Sequence, residues 1–152
     1  MHEMLISNIG YNHSIVLKNI SPAERKYNCF AYAFDLMHST KYTEIAPIGV
    51  FANSEFVEFL INNEILKEIE WGKENDGDII IYFDKGKPKH AGKIYSGRII
   101  SKWGVGHLWE HDIYDVPINY GNKCRIFTRI SKDISIAAFI EYAKTKKANT
   151  VL

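Results

Sequence analysis

The run of five apolar residues at 79–83, Ile-Ile-Ile-Tyr-Phe, constrains the fold more than any other segment of the chain. Gly77 and Asp78 precede the run, and the turn-forming stretch 84–88, Asp-Lys-Gly-Lys-Pro, ends it. A short apolar run bounded in this way is typical of a strand that is buried on both faces. We therefore expect packed side chains on both sides of this strand.

A β-hairpin is predicted directly after this strand. Residues 90–95 and 98–103 flank a Ser-Gly pair, which suits a two-residue turn between antiparallel strands. Side chains alternate between the two faces of a strand, so Lys102 is predicted to point away from its two neighbours. The residues predicted to share the opposite face are His90, Gly92, Ser101 and Trp103.

Helices are predicted where apolar residues recur at helical spacing. A capping-box pattern starts a helical turn at residue 21, and the almost wholly apolar segment 28–37 predicts a buried central helix. Asn53 or Ser54 caps a further helix that ends near residues 62–63, after a loop rich in turn formers. A closing helix is predicted over about residues 134–144.

Further short strands are predicted at residues 13–18, 113–116 and 124–130. In the last strand Cys124 shares its parity with two isoleucines, so its side chain is predicted to point inward. The predicted fold class is therefore α+β, with a central buried helix packed on an antiparallel sheet and a C-terminal helix. At 152 residues the chain is expected to form one domain over residues 1–152.

The composition argues against several partners. Nineteen basic and eighteen acidic residues leave a net charge of +1, so we expect no nucleic-acid binding. No stretch approaches the ~18 apolar residues of a membrane span, and no Sec-type signal opens the chain. Two cysteines cannot form a disulfide framework, which favours a cytoplasmic protein, although a secreted effector would look the same. No cofactor is expected.

Cys29 is a candidate nucleophile because a thiol is activated when a helix N-terminus stabilises its thiolate. Asn28 is a good N-cap residue, and a helix that begins there places Cys29 in its first turn. The competing interpretation is an unbroken helix from Pro22, which would bury Cys29 in mid-helix. Cys124 is interpreted as structural.

Three segments resemble the papain-like cysteine peptidases, and most closely their NlpC-like bacterial branch. Residues 27–32, Tyr-Asn-Cys-Phe-Ala-Tyr, resemble the segment that carries the nucleophile of that family. Residues 77–82 and 90–97 resemble its Gly-Asp-Leu-Val-Phe-Phe and His-Val-Gly-Ile-Tyr-Leu-Gly segments. The resemblance spans roughly residues 21–104 and implies a papain-like fold, with Cys29 as nucleophile and His90 as base.

The position that orients the base in that superfamily is Ser101 here, where His, Asn or Asp is usual. Ser101 begins a Ser-Lys-Trp-Gly run similar to the Asn-Ser-Trp-Gly run of papain. The chain is also similar to an uncharacterised group of bacterial papain-like domains, through these motifs and later Glu-His and Tyr-Gly pairs. Glu110 or His111 is a candidate substitute for the orienting residue.

A substrate cleft is expected beside these residues. Its predicted lining is Asn28, Trp103, Trp109, Glu110 and His111. The spacing of His107 and His111 suits zinc only on a helix, and nearby glycines with no obvious third ligand argue against a metal site.

The leading hypothesis is a cysteine-dependent hydrolase, deamidase or acyltransferase that acts on an amide-type bond of a protein or peptide. A bacterial effector or toxin domain fits a small chain without a signal. The alternative is a non-catalytic binding module on a degenerate papain-like scaffold, which a serine at the orienting position favours. The oligomeric state is left open.

Overall fold

The computed structural model describes residues 15–19, 27–46, 49–103 and 106–150. The strands are β1 (Val16–Asn19), β2 (Glu68–Ile69), β3 (Ile79–Asp84), β4 (Lys87–Tyr95), β5 (Arg98–Lys102), β6 (Leu108–His111) and β7 (Lys123–Phe127). The helices are α1 (Cys29–Ala33), α2 (Thr40–Ile45), α3 (Ser54–Asn62) and α4 (Lys132–Thr150), with a 3-10 turn at Ile118–Tyr120.

All seven strands form one antiparallel sheet, in the order β1-β6-β5-β4-β3-β7-β2. The α+β class, the antiparallel sheet and the C-terminal helix were all predicted, and the structure confirms them. The helical turn predicted at residue 21 lies outside the described residues.

Two hairpins at the centre of the sheet follow from their turn residues. Lys85 and Gly86 join β3 to β4 with φ angles of 51° and 79°, and Ser96 and Gly97 join β4 to β5 with φ angles of 50° and 75°. Two successive positive φ angles are the mark of a type I′ turn, whose twist suits adjacent strands. Tyr95 pairs with Arg98, so the predicted register of the second hairpin is confirmed.

The helix α1 begins at Cys29 with Asn28 as its N-cap, which decides between the two starts considered for it. It is shorter than predicted because Asp35 takes a left-handed φ of 55° and the Leu36 amide donates to the Ala31 carbonyl at 2.9 Å. These contacts close the helix C-terminus. The predicted continuation to residue 37 is therefore wrong.

The other helices agree with the sequence in part. Asn53 caps α3, whose bounds match the prediction, and α4 is longer than predicted at both ends. The short helix α2 stands where a loop was expected, and Ser39 caps it. None of the described helices is both long and apolar enough to span a membrane.

Side chains pack on both faces of the sheet, as the apolar run of β3 predicted. On one face, α1 and α3 join a cluster that includes Ile79, Ile81 and Phe139 of α4. We call this the helix face. The opposite face carries a smaller cluster, which is made of Ile80, Tyr82, Ile94, Ile99 and Ile126. We call this the loop face, because irregular chain covers part of it.

The strand predicted at residues 113–116 is wrong, because this segment is irregular. Its apolar side chains still have a packing role, since Ile113 and Val116 contact the loop-face cluster. The hydroxyl of Tyr82 donates to the Ile113 carbonyl at 2.5 Å and holds the segment in place. Cys124 points to the same cluster and is half-buried.

Candidate functional site

Cys29 lies at the start of α1, on the helix face of the sheet. Its side chain is only 6% exposed, and burial raises the pKa of its thiol to about 12. The backbone amides of Ala91, Phe30 and Cys29 itself oppose this shift, but the desolvation is larger. Burial therefore favours the protonated thiol of Cys29 over the thiolate.

His90 lies on β4 and is completely buried. Its ring stacks on Tyr120, with centroids 4.1 Å apart and planes 11° apart, and also contacts Tyr82. Neither ring nitrogen has a hydrogen-bond partner among the described residues. Burial, and secondarily repulsion from a protonated His111, holds the pKa of His90 well below its usual value, so the ring is neutral.

The strand register places Cys29 and His90 on opposite faces of the sheet. Ala91 pairs with Ile81, and both belong to the cluster that contains Cys29. His90 pairs with Tyr82, which belongs to the loop-face cluster. Adjacent residues of a strand point to opposite faces, so the backbone of β4 separates the two side chains. The prediction that Cys29 and His90 form a contacting pair is therefore wrong.

Ser101 shares the loop face with His90, as predicted, but its hydroxyl hydrogen-bonds to His111, so the prediction that Ser101 orients His90 is wrong. The Nδ1 atom of His111 lies 2.8 Å from the Asp112 carbonyl, which only accepts, so Nδ1 carries the proton. The Nε2 atom of His111 is then an acceptor, and Ser101 donates to it at 2.7 Å. The indole of Trp103 completes the set by donating to Ser101 Oγ at 3.2 Å.

This Ser101–His111 arrangement has the hydrogen-bond order of a serine nucleophile and its base. Both residues, however, are fully buried. Burial lowers the pKa of His111 to about 4, against a smaller opposing effect of the Asp112 carbonyl. The network is a buried polar cluster in which Ser101 and His111 both have hydrogen-bond partners.

The remaining predicted cleft residues have different surroundings. Asn28 is used structurally, because it caps α1 at the Ala31 amide and donates to the Ala52 carbonyl at 2.6 Å. Trp103 and Trp109 are buried, with ring centroids 5.4 Å apart. Glu110 pairs with Arg98 at 3.0 Å and with Lys18 at 3.5 Å.

Lys102 is a buried residue whose role the sequence did not indicate. It is fully buried, and its Nζ lies 3.6 Å from the ring centroid of Tyr27, just before α1. Lys102 therefore shares the helix face with Cys29, opposite Ser101. The predicted alternation placed Lys102 on the opposite face of the strand from Ser101. Only the structure, which shows the face that α1 covers, places Lys102 on the same face as Cys29. The described residues contain no cluster of three or more side chains suited to a metal.

An open groove runs beside β7, at the end of the sheet farthest from β1 in strand order. A cavity of about 220 Å³ adjoins one of about 460 Å³, and the two share Tyr114, Asn122 and Cys124. The side chains that line the larger cavity also include Trp71, Phe83, Gly86, Lys123 and Arg125. We call the two cavities together the β7 groove.

Large apolar side chains stand exposed at this groove. Tyr114 is 77% exposed, Ile118 is 94% exposed and Trp71 is 48% exposed. A larger cavity of about 540 Å³ lies between α3 and α4, but none of the predicted site residues lines it. Sequence reasoning missed the β7 groove because Trp71, Tyr114 and Ile118 come from segments without a recognisable motif.

The chain matches a known protein family. The family model described as Domain of unknown function (DUF7689) matches residues 18–128. This span includes Cys29, His90, Ser101 and every residue of the β7 groove. No curated protein and no solved structure matches the chain.

Proposed function

Because the chain belongs to the family Domain of unknown function (DUF7689), which brings no assigned activity, we propose a function from its own residues: a non-catalytic, protein- or peptide-binding module on a papain-like scaffold. The ligand binds in the β7 groove. The observation that carries the proposal is the exposure of Trp71, Tyr114 and Ile118 around that groove.

These exposed side chains are what a binding surface requires. Aromatic residues are enriched at interfaces because they bury a large area at a small cost in conformational entropy. The larger cavity, about 460 Å³, falls within the range of roughly 300–1,000 Å³ that is typical of ligand sites. Asn122 and Lys123 add polar groups that can fix the orientation of a peptide.

The separation of Cys29 from His90 supports the non-catalytic part of the proposal. A thiol that is 6% exposed and has no imidazole partner among the described residues does not form a covalent intermediate readily. The papain-like part rests on sequence motifs and on the antiparallel sheet behind a helix that begins at Cys29.

Selection from a phage-displayed random peptide library tests the proposed function. We expect enriched peptides to bind the wild-type chain and to lose at least about tenfold in affinity for Trp71→Ala and Tyr114→Ala, because both variants remove contact area from the groove. Cys29→Ala is the matched control and should bind like the wild type. Enriched peptides that bind both groove variants with the affinity of the wild type would contradict the proposal.

A second candidate function is the cysteine-dependent hydrolase, deamidase or acyltransferase. The observation in its favour is the place of Cys29 as the first residue of a capped helix, with the buried Lys102 on the same face of the sheet. In that case Lys102, and not His90, is the polar side chain that acts on the thiol. Alkylation of Cys29 by iodoacetamide below pH 8, slowed by Lys102→Met, would support this candidate.

A further inference from the structure

Among the described residues, three of the five residues of β7 have no neighbouring strand on their outer side. On the inner side, β7 pairs with β3 along all of Lys123–Phe127. On the outer side, β2 pairs only with Ile126 and Phe127. The chain turns away after β2, at Gly72 with a φ of 93°. The outer edge of β7 is therefore open at residues 123–125 among the described residues.

The direction of the backbone groups at this edge follows from the ladder. The Thr128 amide donates to the Lys67 carbonyl at 2.8 Å, so residue 128 faces the outer side. Alternate residues of an antiparallel strand direct their N–H and C=O groups to the same side. Ile126 and Cys124 therefore face outward too. Ile126 meets β2, while Cys124 presents one donor and one acceptor to the open edge.

Lysines outnumber the unpaired acids around the open edge. Glu68 and Glu70 lie on the β2 side of it, and they pair with Arg125 and Lys73. Four exposed lysines lie at this end of the sheet, and none of them has an ion-pair partner among the described residues. They are Lys85, Lys87, Lys89 and Lys123. The one acid of the adjoining turn is Asp84, and Arg125 is already paired with Glu68 at 2.8 Å and 3.0 Å. The surface has a surplus of positive charge that an acidic ligand neutralises.

We propose that an acidic, extended segment of a partner protein binds here by adding an antiparallel strand to residues 123–125 of β7. This inference rests on the proposed function and gives its ligand class and binding mode. Main-chain hydrogen bonds to Cys124 hold the segment, and alternate side chains enter the β7 groove between Trp71 and Tyr114. Acidic residues of the segment meet the lysines. A second copy of this chain would instead bring two lysine clusters together.

The test uses a fluorescein-labelled peptide of alternating glutamate and valine, titrated with the full chain and followed by anisotropy. We expect saturable binding that weakens as salt rises, and no binding of the matched peptide of alternating lysine and valine. Cys124→Pro removes the outward N–H but no bond to β3, and should weaken binding by about tenfold. Cys124→Ser keeps the N–H and should weaken binding less than Cys124→Pro does, so the difference between the two variants reports the backbone hydrogen bond.

A peptide-side control covers the case in which Cys124→Pro does not fold. N-methylation of alternate peptide residues blocks strand pairing in one parity and leaves the other parity able to pair. We expect one of the two N-methylated series to lose binding to the unaltered chain by about tenfold, and the other to keep it. Equal binding of both series would overturn strand addition.

The remaining outcomes separate this inference from the proposed function. Binding that survives Cys124→Pro but is lost in Trp71→Ala would overturn strand addition and leave a groove-binding module. Absence of binding to the acidic peptide at about 1 mM would overturn the acidic ligand. A dimer in light scattering that Cys124→Pro abolishes would assign the edge to a second copy, and would also overturn the inference.

Discussion

The two faces of the sheet differ in the surroundings of their chemically reactive side chains. The helix face buries Cys29 with a pKa raised to about 12, and its environment supplies backbone amides. The loop face buries His90, Ser101 and His111, of which the last two share a hydrogen bond. A cysteine and a histidine in the order of a known enzyme family therefore make no dyad when one strand backbone separates them. The face of the strand on which a side chain lies therefore determines which groups can react together, as much as residue identity does.

Acidification should separate the two faces most strongly, because the buried histidines among the described residues, His90 and His111, both lie on the loop face. Burial lowers the pKa of His111 from 6.5 to about 4 and that of His90 well below its usual value. Below about pH 6.5 these two histidines bind protons in the unfolded chain but stay neutral in the folded chain. The free energy of unfolding therefore falls as the pH falls. Between pH 6.5 and 4, His111 alone should remove about 3 kcal/mol from the free energy of unfolding.

Urea denaturation from pH 7.5 to 4.5 measures this loss. The Cys29→Ala variant is the control from the helix face, and its pH dependence should parallel that of the wild type. A free energy of unfolding that stays flat through this range would show that neither histidine is kept neutral by the fold.

The Ser101→Ala substitution should have the next largest effect. It leaves the Nε2 of His111 and the indole N–H of Trp103 buried without their partner, at a cost of about 2–4 kcal/mol for two such groups. Cys29→Ala on the helix face removes only weak sulfur contacts and should cost about 1 kcal/mol. Urea denaturation at pH 7.5 compares the two variants, and a smaller loss for Ser101→Ala would contradict the buried network.

Much of the sheet could be predicted because its turns carry their own signals. The Ser-Gly pair at 96–97 set the register of β4 and β5, and that register correctly grouped Gly92, Ser101 and Trp103. The start of α1 followed from Asn28. These features depend on residues close together in sequence, where turn and cap chemistry decides the outcome.

The face that α1 covers could not be predicted in the same way. The run at 79–83 is apolar at every position, so β3 shows no polar side that would mark the solvent face. His90 was therefore assigned to the side of Cys29 by family resemblance alone. The short helix α2 was missed because Tyr42 is its one fully buried residue, which leaves little periodicity to detect.

The order of cysteine alkylation sharpens the comparison of the two faces at a smaller scale. Cys29 is almost fully buried, while Cys124 is half-buried at the β7 groove, although burial raises the pKa of both thiols. We expect iodoacetamide at pH 8.5 to label Cys124 at least about tenfold faster than Cys29. Peptide mapping by mass spectrometry measures the two rates, and faster labelling of Cys29 would favour the thiol enzyme over the binding module.

The smallest effect, His90→Phe, separates a catalytic histidine from a buried one most directly. Neither ring nitrogen of His90 has a hydrogen-bond partner among the described residues, so phenylalanine keeps the stack on Tyr120 and removes two buried polar atoms. We expect the free energy of unfolding at pH 7.5 to rise by about 1 kcal/mol. The number of protons that the chain takes up on unfolding in acid should fall by about one. His111→Phe is the matched control and should destabilise the fold, because it strips partners from Ser101 and from the Asp112 carbonyl. If His90→Phe is instead as destabilising as His111→Phe, the ring nitrogens of His90 make bonds that stabilise the fold, and the two histidines of the loop face are equivalent.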